Sequence, residues 1–151
     1  MRPDEITDDD IRFMRNALDE ARQAFDADEV PIGAIVVCKG RIVGRGHNLT
    51  ETLSDVTAHA EMQAITAAVN SLGGKYLPEC TLYVTVEPCL MCAGAIGWSQ
   101  IRRIVYGASD EKRGYATYTS RPPFHPKAVV ISGVLADESA ALMRTFFSRK
   151  R

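Results

Sequence analysis

Hydrophobic residues recur along the chain in two different periods. Ile11, Met14, Leu18, Ala21 and Phe25 are spaced by three and four, which predicts an amphipathic helix from Thr7 to about Phe25, capped by Thr7 or an aspartate after it. The stretch "PIGAIVVCKGRIVGRGHN" holds two β-rich runs around Lys39-Gly40, a pair suited to the positive dihedral of a tight turn, and predicts a hairpin. "TAHAEMQAITAAVNSLGG" is alanine-rich and lacks breakers until Gly73-Gly74, so a second helix is expected from near Thr57 to a glycine C-cap. "TLYVTV" predicts a strand, followed at once by a helix in "EPCLMCAGAIGW" with Pro88 at its start. "RRIVYG" and "AVVISG" predict two more strands, and "DESAALMRTFFSRK" a closing helix with Asp137 as N-cap. The stretch "KRGYATYTSRPPFHP" reads as one long irregular loop.

Strands and helices alternate from the middle of the chain onward. The expected fold is therefore α/β, a three-layer α/β/α sandwich around a mixed sheet of about five strands. A length of 151 residues with 46% hydrophobic content suits one domain spanning 1–151 with a substantial core. No segment has the apolar length of a membrane span and no secretion signal is evident, so a cytoplasmic protein is expected. The formal net charge of −1 excludes a global basic field, although Arg149, Lys150 and Arg151 gather positive charge at the C-terminus. Those three suit a helix end equally well.

Of the four cysteines, Cys38 and Cys80 lie in apolar, strand-like contexts and read as ordinary thiols. Cys89 and Cys92 are three apart at a helix start, where both can face one ion and where free amides favour thiolate. The chain has no second C-x-x-C to complete a four-ligand structural site. His59, at the start of the preceding helix, is the natural third ligand. Thiolate and imidazole donors favour zinc. Glu61 lies about 200° around a helix from His59, which puts it beside the metal rather than on it. A zinc-activated water and a carboxylate that serves as base and then acid would suffice to replace an aromatic amino group by oxygen. A redox pair would account for the cysteines but would leave His59 and Glu61 unexplained.

His59-Ala60-Glu61 and Pro88-Cys89-Leu90-Met91-Cys92 match the H-x-E and P-C-x-x-C signature of zinc nucleobase deaminases, and the chain resembles the cytidine deaminase-like superfamily. Within it, the chain is most similar to bacterial tRNA-specific adenosine deaminases, through "VPIGAIVV", "GHN", "TAHAE", "TLYVTVEPCLMCAGA", "IVYGASD" and "GVLADESAALMRTFF". The resemblance implies conversion of the wobble adenosine of a tRNA anticodon stem-loop to inosine. It implies one zinc per subunit held by His59, Cys89 and Cys92, with Glu61 moving protons. It further implies Asn48 and the backbone at Ala60 against the target nucleoside, Asp110 and Lys112 in an RNA-facing loop, and a homodimer. Locally, Asn48 could equally be a turn residue and Asp110 and Lys112 a solvated loop. Trp98 resembles the tryptophan of guanine deaminases, which makes a deaminase of free purine bases or nucleosides the alternative. A noncatalytic zinc-stabilised module is the alternative from another class. Trp98 is otherwise expected in a core or an interface, and Tyr115, Tyr118 and Phe124 are expected to pack the long loop onto the sheet rather than to stack on bases.

Overall fold

Thr7 starts the first helix through a capping box: its hydroxyl accepts from the Asp10 amide while the Asp10 carboxylate accepts from the Thr7 amide. In this computed structural model, which describes residue 2 and residues 4–150, the elements are α1 (Asp8–Asp26), β1 (Gly33–Cys38), β2 (Arg41–His47), α2 (Ala60–Leu72), β3 (Cys80–Val86), α3 (Leu90–Trp98), β4 (Arg103–Ala108), α4 (Tyr115–Tyr118), β5 (Val129–Ile131) and α5 (Ala136–Arg149). No helix among the described residues is long and apolar enough to cross a membrane. The β1–β2 hairpin turns on Lys39 and Gly40, both at positive φ.

The five strands form one mixed sheet in the order β2-β1-β3-β4-β5. β1 runs antiparallel to β2 and β3, whereas β3, β4 and β5 are mutually parallel. Period-two alternation divides the core between the two faces of the sheet. Ala34, Val36, Leu82, Val84 and Ile104 pack with Ala60, Ala64 and Ala68 of α2 and Ala93 and Ile96 of α3. Ile35, Val37, Tyr83 and Val105 pack with Phe13, Met14 and Ala17 of α1. The alternating pattern of the strands thus fixes which helices cover which face, and the metal-type residues all sit at the starts of helices of one layer.

Two features set the height of these helices over the sheet. A Cβ at Gly44 would fall 2.3 Å from the Ala64 carbonyl oxygen, and one at Gly46 would fall 2.6 Å from that of Ala60, so α2 rests directly on the β2 backbone. On the other face, buried Asp10 accepts from Arg103 at 2.6 and 2.7 Å and from the Tyr83 hydroxyl at 2.8 Å. Burial raises the Asp10 carboxyl, but the bonds from Arg103, Thr7 and Tyr83 outweigh it and hold it at about 2.

Several expected boundaries move. α2 begins at Ala60 rather than near Thr57, because the Asp55 carboxylate takes the Thr57 amide and hydroxyl and keeps that stretch in a turn. α5 is preceded by Leu135 at positive φ, so Asp137 lies inside its first turn and is not the N-cap. The long loop contains α4. Tyr115 of α4 is buried edge-to-face against Tyr106 and Phe124, which is the packing role expected of it, whereas Tyr118 is 54% exposed. Trp98 is 84% exposed and belongs to no core.

Gly46→Ala should lower stability by about 1–3 kcal/mol, because the added methyl has backbone on the far side and nothing flexible to displace. Gly74→Ala, with open space around it, should stay within about 0.5 kcal/mol of wild type. Urea unfolding midpoints check both.

Candidate active site

Two helix starts build the site. His59 and Cys89 occupy the N-cap positions of α2 and α3, both with extended backbone, and neither side chain caps its own helix. Both are therefore free to point away from the helices that follow them. Cys92 projects from the first turn of α3 and is fully buried. His59 Nδ1 lies 3.6 Å from Cys89 Sγ and 3.5 Å from Cys92 Sγ, and the three donor atoms all fall within 4.8 Å of one another.

These separations test the donor set against a metal. Zinc bonds of about 2.3 Å to sulfur and 2.0–2.1 Å to nitrogen, set at the tetrahedral angle, give an N-to-S edge of about 3.6 Å. The observed edges fit. Three protein donors are also the number found in catalytic zinc sites, whereas structural sites use four.

Electrostatics within the cluster are polarised. Hydrogen bonds from Cys92 and His59 hold the Cys89 thiol down at about 4 despite burial. The neighbouring Cys89 sulfur and burial push the Cys92 thiol up, and the hydrogen bond to Cys89 raises the His59 imidazole. Glu61 lies in the first turn of α2 and is 4% exposed. Burial pushes its carboxyl up to about 7.

The cluster opens into a cleft of about 1080 Å³, and Asn48, Ala60, Asp110 and Lys112 all line it together with His59, Glu61 and Cys89. Asn48 serves in a turn as well: its Oδ1 accepts from the Thr50 amide at 3.2 Å, while its Nδ2 has no hydrogen-bond partner among the described residues. The Asp110 carboxylate is taken up by its own turn, accepting from the amides of Lys112 and Arg113 at 3.0 Å each. At the C-terminus, Lys150 lines the cleft and pairs with Asp28, Arg149 lies over the Phe25 ring at 4.7 Å, and Arg151 lies outside the described residues.

Three parts of the site escaped the sequence reading. Met143, Arg144 and Phe147 bring α5 into the cleft wall, but an apolar pair four apart reads the same whether it faces a core or a pocket. Glu29 and Glu87 are buried carboxylates that take backbone amides from the loops on either side of the cleft. Their only trace in the sequence is an acidic residue abutting an apolar run, "EVPIGAIVV" and "LYVTVEP".

Comparisons with known proteins agree with this geometry. The family model of the cytidine and deoxycytidylate deaminase zinc-binding region matches residues 7–108. The tRNA-specific adenosine deaminase of Agrobacterium fabrum is 49% identical over 143 residues, 92% of this chain and 94% of that protein. A solved structure from studies of A-to-I editing by tRNA:A34 deaminases at the wobble position superposes with a TM-score of 0.81 at 48% identity, covering 87% of this chain and 98% of the other. The guanine deaminase of Nitrosomonas europaea superposes with a TM-score of 0.77 at 25% identity, covering 89% and 82%. The chain therefore belongs to the cytidine and deoxycytidylate deaminase zinc-binding family, within its branch of tRNA-specific adenosine deaminases.

Proposed function

We propose that this protein hydrolyses the wobble adenosine of a tRNA anticodon loop to inosine and ammonia, as a zinc-dependent hydrolase of the cytoplasm. The carrying observation is the contrast between fold and sequence likeness. The adenosine-editing structure matches at 48% identity over 87% of the chain, whereas the guanine deaminase structures match at 25% over 89% (Nitrosomonas europaea) and at 36% over only 72% (Bacillus subtilis), although the fold is shared by all. Architecture is common to both, so the residues that surround the shared chemistry decide. Trp98, the residue that suggested a guanine substrate, is exposed and does not line the cleft of its own chain.

His59, Cys89 and Cys92 would hold the zinc. When bound, the ion acts as a Lewis acid that makes water available as a nucleophile near neutral pH. Glu61, with its carboxyl raised to about 7 by burial, is balanced between accepting and giving a proton. It takes the proton of the attacking water and delivers it to the purine ring nitrogen as the C–O bond forms at C6; it then takes the proton of the new C6 hydroxyl and passes it to the amino group, which leaves as ammonia as the C–N bond breaks and the C6 carbonyl forms. One water enters, one ammonia departs, and Glu61 ends as it began. Asn48 lines the same cleft with its side-chain NH2 unengaged among the described residues and would hold the nucleoside in place. A loop nucleotide, unlike a free base, brings a phosphate backbone that Lys112 and Arg144, both lining the cleft, would meet.

Zinc-loaded wild type should release ammonia from an anticodon stem-loop carrying adenosine at the wobble position. Glu61→Gln should retain one zinc per chain and lose turnover by at least ~100-fold. Deamination of guanine, with the stem-loop left intact, would contradict the substrate assignment. Undiminished activity of Glu61→Gln would remove the proton-transfer role.

The protein is also proposed to be a homodimer joined through α3, on which Leu90, Met91 and Trp98 are 44, 39 and 84% exposed. Sedimentation at micromolar concentration should give a dimer, and a monomer there would refute this arrangement.

A further inference from the structure

Glu87 directly precedes the Pro88-Cys89 step that starts the metal-bearing helix, and its side chain is 7% exposed at the margin of the cleft. Such burial is unfavourable for a carboxylate unless donors surround it. Oε1 accepts from the Asp110 amide at 3.1 Å and Oε2 from the Ala116 amide at 3.0 Å, so the two oxygens grip the two ends of a single loop. The Glu87 amide in turn donates to the Ala108 carbonyl, where β4 gives way to that loop.

The loop is held a second time from the same place. The Tyr115 amide donates to the Pro88 carbonyl at 2.9 Å, and Cys89 and Gly114 form an isolated antiparallel bridge. Gly114 lies flat against the carboxylate: a Cβ there would come within 2.3 Å of Glu87 Cδ and Oε2 and within 2.5 Å of the Asp110 carbonyl oxygen. Inside the span, Asp110 takes the amides of Lys112 and Arg113. Each link fixes the next, from Glu87 to Asp110 to the two cations that line the cleft.

We infer that Glu87 is a positioning residue for substrate: its carboxylate clamps the Asp110–Ala116 loop to the start of α3, and so sets Lys112 and Arg113 at a fixed height over the metal cluster. The inference rests on the proposed RNA substrate for the role of those cations, because a phosphate backbone is the ligand that two cations at a cleft rim would register. Glu87 itself touches neither the three metal-type donors nor, on this account, the reacting base. It acts through the loop.

The test is made on the zinc-loaded protein with Glu87→Ala, Glu87→Gln and Gly114→Ala. Trypsin cleavage after Lys112 and Arg113 reports the clamp without reference to activity. Loss of two charge-assisted bonds should speed cleavage by at least ~10-fold in Glu87→Ala. Glu87→Gln keeps the shape and one acceptor and should fall between that variant and wild type. Gly114→Ala should speed cleavage with Glu87 intact, which keeps the test decisive if Glu87→Ala fails to fold. On the stem-loop, KM should rise by at least ~10-fold in Glu87→Ala while kcat changes by less than ~3-fold, with one zinc per chain retained. Unchanged cleavage in Glu87→Ala and Gly114→Ala would overturn the clamp. Loss of zinc, or a fall in kcat at constant KM, would overturn the positioning role. Faster cleavage in a protein whose wild type deaminates no RNA would overturn the substrate role alone and leave the clamp standing.

Discussion

A four-coordinate ion accepts only a narrow range of separations between its donors, and here three donors arrive from the starts of two successive helices separated by a strand. His59 precedes α2, while Cys89 and Cys92 open α3, and the intervening chain includes a whole strand of the sheet. The N-to-S edges of 3.5 and 3.6 Å are therefore a property of the whole layer. They depend on α2 resting against the β2 backbone at Gly44 and Gly46, and on α3 following β3 two strands away. A shift of either helix by one methyl would disturb the cluster as surely as loss of a donor.

Three buried glutamates show how the same burial serves opposite ends. Burial raises the Glu29 carboxyl, but hydrogen bonds from the Thr52 hydroxyl and amide and from the Glu51 amide outweigh it, so the group is lowered and holds the loop beside Asn48. Glu87 is similarly met by two amides and holds the opposite loop. Glu61 is buried to a comparable extent but has fewer donors, and its carboxyl rises to about 7. Donor supply separates Glu29, which is held down, from Glu61, which burial raises.

Local chemistry was the readable part of the sequence. Lys39-Gly40 marked the hairpin, since a tight turn needs positive φ there, and the three-and-four spacing of Met14, Leu18 and Ala21 marked the buried face of α1. His59-Ala60-Glu61 and Pro88–Cys92 marked the metal cluster, because the spacing of donors is itself a sequence property. What depends on tertiary placement was not readable. Competing local turns also moved two boundaries, since an Asp55–Thr57 turn delays the start of α2 and Leu135 at positive φ, rather than an Asp137 cap, precedes α5. An exposed Trp98 carries the same letter as a buried one. Glu87 looked like the last residue of a strand, since nothing local reveals that two amides from a later loop will meet it.

The central claim is a zinc ion held by one imidazole and two thiolates, with a lighter donor completing the shell. X-ray absorption at the zinc edge of the purified protein measures this directly. The account predicts one zinc per chain with two sulfurs near ~2.3 Å and two nitrogen or oxygen donors near ~2.0–2.1 Å. A third sulfur in the shell, or a zinc-free protein whose Cys89 and Cys92 sulfurs are joined at about 2.05 Å, would contradict it.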